Sequence, residues 1–168
     1  MRVTDTHIYF WGSFLSNFVW APFKTTVLGE ELEFHTSEQY FMLHKALVFK
    51  DVVSYHKILN APDARAAKAL GKKVKDFDPE IWNKVCNKVM FDACYLKFSQ
   101  NLDFKHNLLD SRDKILVEAS PIDKIWGVGL AEDDDRILDE KNWLGQNRLG
   151  IILGLVRLEL SLKESFKE

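Results

Sequence analysis

Cysteine is scarce: two residues in 168, Cys86 and Cys94. The helix predicted around them would separate their Cα atoms by about 12 Å along its axis. A disulfide needs Cα atoms within about 7 Å, so both are read as reduced, packed thiols of a reducing compartment. Proline is equally sparse, with four residues. No Pro/Gly/Ser linker, repeat or low-complexity tract breaks the chain, so one domain over residues 1–168 is expected. No apolar run approaches the roughly 20 residues that a bilayer span needs. Residues 1–5 carry no apolar signal segment. The expected setting is therefore the cytoplasm, with no membrane partner. Excess basic charge is missing too, the formal net charge being -2. Non-specific duplex binding needs a basic stripe to displace counterions from phosphates. A single nucleotide or phosphorylated sugar needs only one or two cations and stays within reach.

Stock chemistries are missing as well. The five His residues form no HxxxH pair, and no Cys/His spacing suits zinc. Neither GxGxxG nor GxxxxGK[ST] occurs. Neither cysteine sits in a nucleophile motif. No metal and no cofactor are expected.

What is present is an ordinary globular composition, 46% apolar and 29% charged, in a chain long enough to bury a core. Residues 7–11 read as a strand. Residues 23–28 and 31–34 read as a hairpin around Gly29-Glu30. Thr36 or Ser37 caps a helix running to about Phe49. Pro62-Asp63 opens another that stops at Gly71. Pro79 opens a long one to about Ser99, with Trp82, Val85, Cys86, Val89, Met90 and Ala93 on a core-facing stripe. Residues 114–118 read as a buried strand. The last helix, about Asn147 to Lys163, is apolar on two stripes, one through Leu149, Ile152, Leu153, Val156 and Leu160, the other through Ile151, Leu155 and Leu158. That predicts a helix central to the core. Gly150, Gly154 and Arg157 share a further face, and the two glycines predict close approach of another element there. The fold class is α+β, mostly α-helical, with a small antiparallel sheet near the N-terminus.

Three polar segments are candidates for chemistry. Phe14-Leu15-Ser16-Asn17-Phe18 sets a turn-like polar pair between aromatics; a local Asx or Ser turn would look the same. Thr36-Ser37-Glu38-Gln39-Tyr40-Phe41 puts Glu38 in the first turn of a helix, where the dipole favours a carboxylate in any case. Lys45 lies two turns further along the same face. Val117-Glu118-Ala119-Ser120-Pro121-Ile122-Asp123-Lys124-Ile125-Trp126-Gly127 ends a buried strand on an acid, adds a second acid, and follows with a large ring on mobile backbone. Such a group suits a nucleobase, with the ring stacking and the acids moving protons. A loop whose Trp plugs the core is the equal alternative. Glu132-Asp133-Asp134-Asp135 reads as a solvated loop rather than a cation site. Asn147 either caps the last helix or turns its amide to a ligand.

Taken in order, these segments resemble one family. With Ala67-Lys68-Ala69-Leu70-Gly71, Trp82, Met90, Lys97-Phe98, Leu116-Val117-Glu118, Asn147-Arg148-Leu149-Gly150 and Arg157, the set is similar to the NADAR (NAD- and ADP-ribose-associated) domain, also called YbiA-like. The resemblance implies a mostly helical α+β fold and hydrolysis of N-glycosidic bonds. The substrates it implies are nucleotide-like small molecules: phosphorylated ribosylamino-pyrimidine intermediates of riboflavin synthesis or, in other branches, ADP-ribose attached to guanine in nucleic acid. Glu38 falls where the family keeps its key carboxylate. Gln39 stands where relatives often carry His, and the acidic loop 131–140 is longer than in compact members.

On that resemblance Glu38 would be the ionised carboxylate, and Glu118 or Asp123 would serve the leaving base. Trp126 would stack on the base, Asn17 and Asn147 would bind ribose hydroxyls and Lys45 a phosphate, with Ser16 and Gly127 as further substrate-binding residues. A non-catalytic module that binds ADP-ribose or a nucleotide would use the same residues. A structural partner protein would use the acids only as caps and loop charges.

Overall fold

A computed structural model describes residues 1–166. The chain forms two units, residues 1–16 with 103–168, and residues 17–102.

The first unit is built on a three-stranded sheet. β1 (Arg2–Val3) pairs antiparallel with β2 (His7–Phe10), and β2 pairs in parallel with β5 (Ile115–Glu118), Phe10 opposite Glu118. This sheet is thus mixed, and the small antiparallel sheet expected near the N-terminus is the separate hairpin of residues 23–34. A parallel pair needs a long connection, and residues 11–114 supply it. No local pattern in either strand announces a partner so far away. Tyr9, Val117, Ala119, Val128, Leu130 and Ile137 form its core, with Trp143 packed against them and donating Nε1–H to Ile137 O.

Two helices complete this unit, α5 (Leu102–Asp110) and α6 (Arg148–Ser165). α6 buries Leu149, Ile152, Leu153, Val156 and Leu160. Its second apolar stripe does not follow: Ile151, Leu155 and Leu158 are 58%, 51% and 56% exposed. The prediction of a helix central to the core is corrected to a helix with one buried face. Several acids of the 131–140 loop are ion-paired. Glu132 meets the Met1 amino group at 3.0 Å, Asp135 meets Arg2 at 3.0 Å, and Asp134 meets Arg136 at 2.6 Å.

The second unit holds the hairpin of β3 (Phe23–Val27) and β4 (Glu30–Phe34) and four helices: α1 (Ser37–Val48), α2 (Val52–Leu59), α3 (Ala64–Gly71) and α4 (Pro79–Gln100). The hairpin turn is Leu28-Gly29, one residue earlier than predicted. Both have positive φ, 52° and 86°, as a two-residue type I′ turn requires. Each helix starts on a side-chain cap that the sequence supplies: Thr36, Asp51, Asp63 and Asp78. α2 was not predicted, because its Val52-Val53 start reads as neither helix nor strand. α1 packs against α2, α3 and α4. A Cβ on Gly71 would lie 2.0 Å from Met42 Sδ, so at the α1–α3 contact a larger residue fits only if the Met42 side chain shifts.

Candidate active site

In the second unit the start of α1 is a buried polar corner. Thr36, Ser37, Glu38 and Gln39 all lie in the interior, Glu38 only 5% exposed. Thr36 accepts the Gln39 N–H and so fixes the first turn. Asn17 enters here: its carbonyl accepts the Glu38 N–H at 3.1 Å. Its amide Nδ2 points to Met90 Sδ at 3.1 Å, and its Oδ1 accepts from the Cys94 thiol at 3.7 Å. Two segments that the sequence offered separately, Ser16-Asn17 and Ser37-Glu38, are therefore joined by backbone. Gln39 is structural. It accepts the His35 N–H and donates to the carbonyls of Ile58 and Leu59, tying α1 to the end of α2.

Lys45 is half-buried, and burial pulls its pKa below the ordinary lysine value while the Glu38 carboxylate opposes that. Its ammonium sits 3.9 Å from the Phe77 ring centroid. Glu38 and Lys45 thus belong to one electrostatic neighbourhood, as two turns of one helix face should give.

Lys97, one of the residues that carry the family resemblance, has no role assigned to it by the sequence. It is fully buried on α4, with its ammonium 4.7 Å from the Phe98 ring centroid. A fully buried lysine is exceptional. Its only sequence signal was a cation at helical spacing from Met90, Ala93 and Cys94 on a buried face. The neighbouring Cys94 thiol is pushed up to about 12 by burial, against the pull of Lys97.

In the first unit the end of β5 forms a second cluster. Glu118 is buried and its backbone is held from both sides: its N–H donates to Asn147 Oδ1, and its carbonyl accepts the Val128 N–H. Asp123 is a turn-former, its Oδ1 accepting the backbone N–H groups of Ile125 and Trp126 at 2.9 and 2.8 Å. Trp126 is partly buried, and its carbonyl accepts the Leu149 N–H. Gly127 is required by packing, since a Cβ there would lie 2.8 Å from Glu118 O. Ser16 is buried in a turn closed by its own N–H onto Ser13 O.

Asn147 occupies the N-cap position of α6, but its side chain does not cap the helix. It takes left-handed φ of 51°. Its amide extends β5 instead, donating to Leu116 O and accepting from Glu118 N–H. The N–H groups of Asn147, Arg148 and Leu149 donate to the carbonyls of Gly127, Ile125 and Trp126. Three N–H groups at the start of α6 are therefore answered by its own loop.

Each unit thus carries a buried carboxylate on a rigid element, beside buried amides and large rings. That defines a class of protein equipped to hold a polar ligand against acid–base groups. The NADAR domain model matches residues 8–161. The chain is 38% identical over 165 residues to N-glycosidase R617 of Acanthamoeba polyphaga mimivirus, covering 93% of this chain and 97% of that protein. It is 32% identical over 164 residues to riboflavin biosynthesis protein VVA0006 of Vibrio vulnificus, covering 95% of this chain and 40% of that longer protein. The NMR structure of E. coli YbiA matches with a TM-score of 0.75 at 28% identity, over 97% of this chain and 89% of that one. The chain belongs to the NADAR domain family.

Proposed function

We propose that this chain hydrolyses the bond between ribose C1′ and nitrogen in a phosphorylated ribosylamino-pyrimidine of the kind riboflavin synthesis produces. The coarser statement rests on the relatives named N-glycosidase: the chain is an enzyme, an N-glycosidase. The single observation that carries the chemistry is Glu38, a carboxylate almost withdrawn from water at the start of α1, with Lys45 in its field. The riboflavin biosynthesis relative supports the substrate class.

The reaction adds water across the C1′–N bond. The C1′ carbon gains a hydroxyl and the leaving nitrogen gains a proton. Glu38 takes the proton from the attacking water and offsets the positive charge that develops at C1′. The acid that serves the leaving base is Glu118 or Asp123, and Asp123 Oδ1 also accepts two backbone donors. Lys45 is assigned to the phosphate and Trp126 to stacking. The amide of Asn147 is already engaged by β5, so no ribose contact is assigned to it.

The test is incubation with a phosphorylated ribosylamino-pyrimidine and, in parallel, with ADP-ribosylated guanosine. Chromatography follows the freed base, and a reducing-sugar assay follows the freed ribose. Release of the pyrimidine alone supports the reading. Release of guanine alone transfers the activity to the ADP-ribose substrate. Tight binding with no release from either makes the protein a nucleotide-binding module and overturns the proposal.

A further inference from the structure

Gly150 and Gly154 lie one turn apart on α6, and packing explains only the first. A Cβ on Gly150 would lie 2.0 Å from Leu116 O, so β5 demands glycine there. A Cβ on Gly154 would meet nothing within 4 Å. Helix stability favours almost any other residue at such a position. What Gly154 does is open the floor of a cavity of about 410 Å³ lined by Leu109, Arg112, Arg157, Leu158, Ser161 and Glu164.

The walls are distinctive. Arg157 is half-buried and anchored through Nη1 alone, which donates to Ser111 Oγ and Lys114 O. A guanidinium has five N–H donors, so three are left for something else. Arg112 has left-handed φ of 50° at the end of α5, and its guanidinium has no side-chain partner among the described residues. The nearby carbonyls at the end of α5 are satisfied: Leu108 O accepts from Ser111, and Leu109 O accepts the Arg112 N–H. Two acids belong to the neighbourhood. Glu164 is paired with Lys105 at 2.5 Å, and Asp113 faces Arg157. With Lys105 answering Glu164, two arginines face one remaining carboxylate, and the balance is positive.

Two guanidinium forks suit an oxyanion with several oxygens, which they hold bidentately. Ser161, on the same α6 face, adds a hydroxyl. The volume lies within the range of small-molecule sites and exceeds the needs of a bare anion. Leu109 and Leu158 give the excess an apolar lining. We propose that this groove between α5 and α6 binds a small phosphomonoester, its phosphate on Arg112 and Arg157 and its organic body along Leu109 and Leu158 over Gly154. No residue of the N-glycosidase reading takes part, so the two proposals stand or fall separately.

The experiment is a titration of 15N-labelled protein with ribose 5-phosphate and, separately, with inorganic phosphate, read at the Gly154 amide and the Arg112 Nε–H. Saturable shifts at both are expected, with ribose 5-phosphate at least about tenfold tighter. Arg112→Gln should weaken binding about 10- to 100-fold, the range for a charged hydrogen bond. Gly154→Leu fills the floor and should abolish the shifts while the remaining spectrum stays folded. Arg112→Gln serves as a second probe if Gly154→Leu fails to fold. Absence of saturable shifts in the wild-type protein, equal affinity for the two ligands, or unchanged affinity in Arg112→Gln would each overturn the proposal.

Discussion

A carboxylate 5% exposed at a helix start has two jobs open to it, and one substitution separates them. As a helix-end charge Glu38 is worth about 0.3–1 kcal/mol of stability, and Glu38→Gln would leave turnover by the folded protein intact. As the base, its loss removes a contribution on the order of 10²–10⁴ in rate. Glu38→Gln keeps the shape and removes the charge. The expected outcome is a fall of at least that order in single-turnover base release, with ligand binding retained and the melting temperature little changed. A folded Glu38→Gln protein with near-normal rate removes Glu38 from the mechanism and leaves Glu118 and Asp123 as the candidates. Asn147 shows the converse case. Its sequence position offered a ligand-facing amide, and the structure uses that amide to complete a strand.

At the scale of elements, α6 carries two glycines with opposite reasons for being there. Gly150→Ala drives a Cβ into Leu116 O and the Asn147 amide, and should cost about 3 kcal/mol as an overpacked contact with backbone. Gly154→Ala meets open space and should gain about 1 kcal/mol from helix propensity. Urea unfolding of the two variants checks both the size and the opposite sign. α2 gives a pH prediction. Asp51 caps it and is held down to about pKa 2, chiefly by the Ser54 hydroxyl, then by the backbone N–H groups of Lys75 and Ser54. Its folded value lies below the unfolded value near 3.9. The stabilisation is therefore present above about pH 4 and is lost as pH falls toward 2. Asp51→Asn should lower the melting temperature at pH 7, and the gap from wild type should close as melts are repeated toward pH 2.

For the molecule as a whole, the thiols give the simplest test of core integrity. Cys86 and Cys94 are both free and buried on α4, and burial raises the Cys94 pKa far from neutrality. The thiolate is the reactive form. A disulfide-exchange dye should therefore titrate no thiol in native protein and two in guanidinium. Rapid reaction of one thiol under native conditions would show that α4 opens. No helix of the described residues is long and apolar enough to cross a membrane. The local charge pattern is also an outcome of folding. The loop acids Glu132, Asp134 and Asp135 find the N-terminal amino group, Arg136 and Arg2, so a run that reads as bare negative charge is largely paired.

The sequence by itself determined whatever depends on neighbours a few residues away. Thr36, Asp63 and Pro79 marked the starts of their helices because a cap acts over three residues. The β3–β4 alternation marked a hairpin because its partner is adjacent. Buried stripes on α4 and α6 followed from 3.6-residue periodicity. The α+β class, mostly helical, and the place of Glu38 in a first turn were legible on those grounds. The turn at Leu28-Gly29 was off by one, because a leucine with positive φ carries no sequence signature. Only tertiary structure decided the rest. It paired β2 in parallel with β5 across residues 11–114. It exposed Ile151, Leu155 and Leu158, since periodicity reports an apolar face but not whether anything covers it. It closed Asn17 onto Glu38, buried Lys97 beside Cys94, and turned the amide of Asn147 into a strand partner. Each of these is a contact between residues distant in the chain, and local propensity has no reach over that distance.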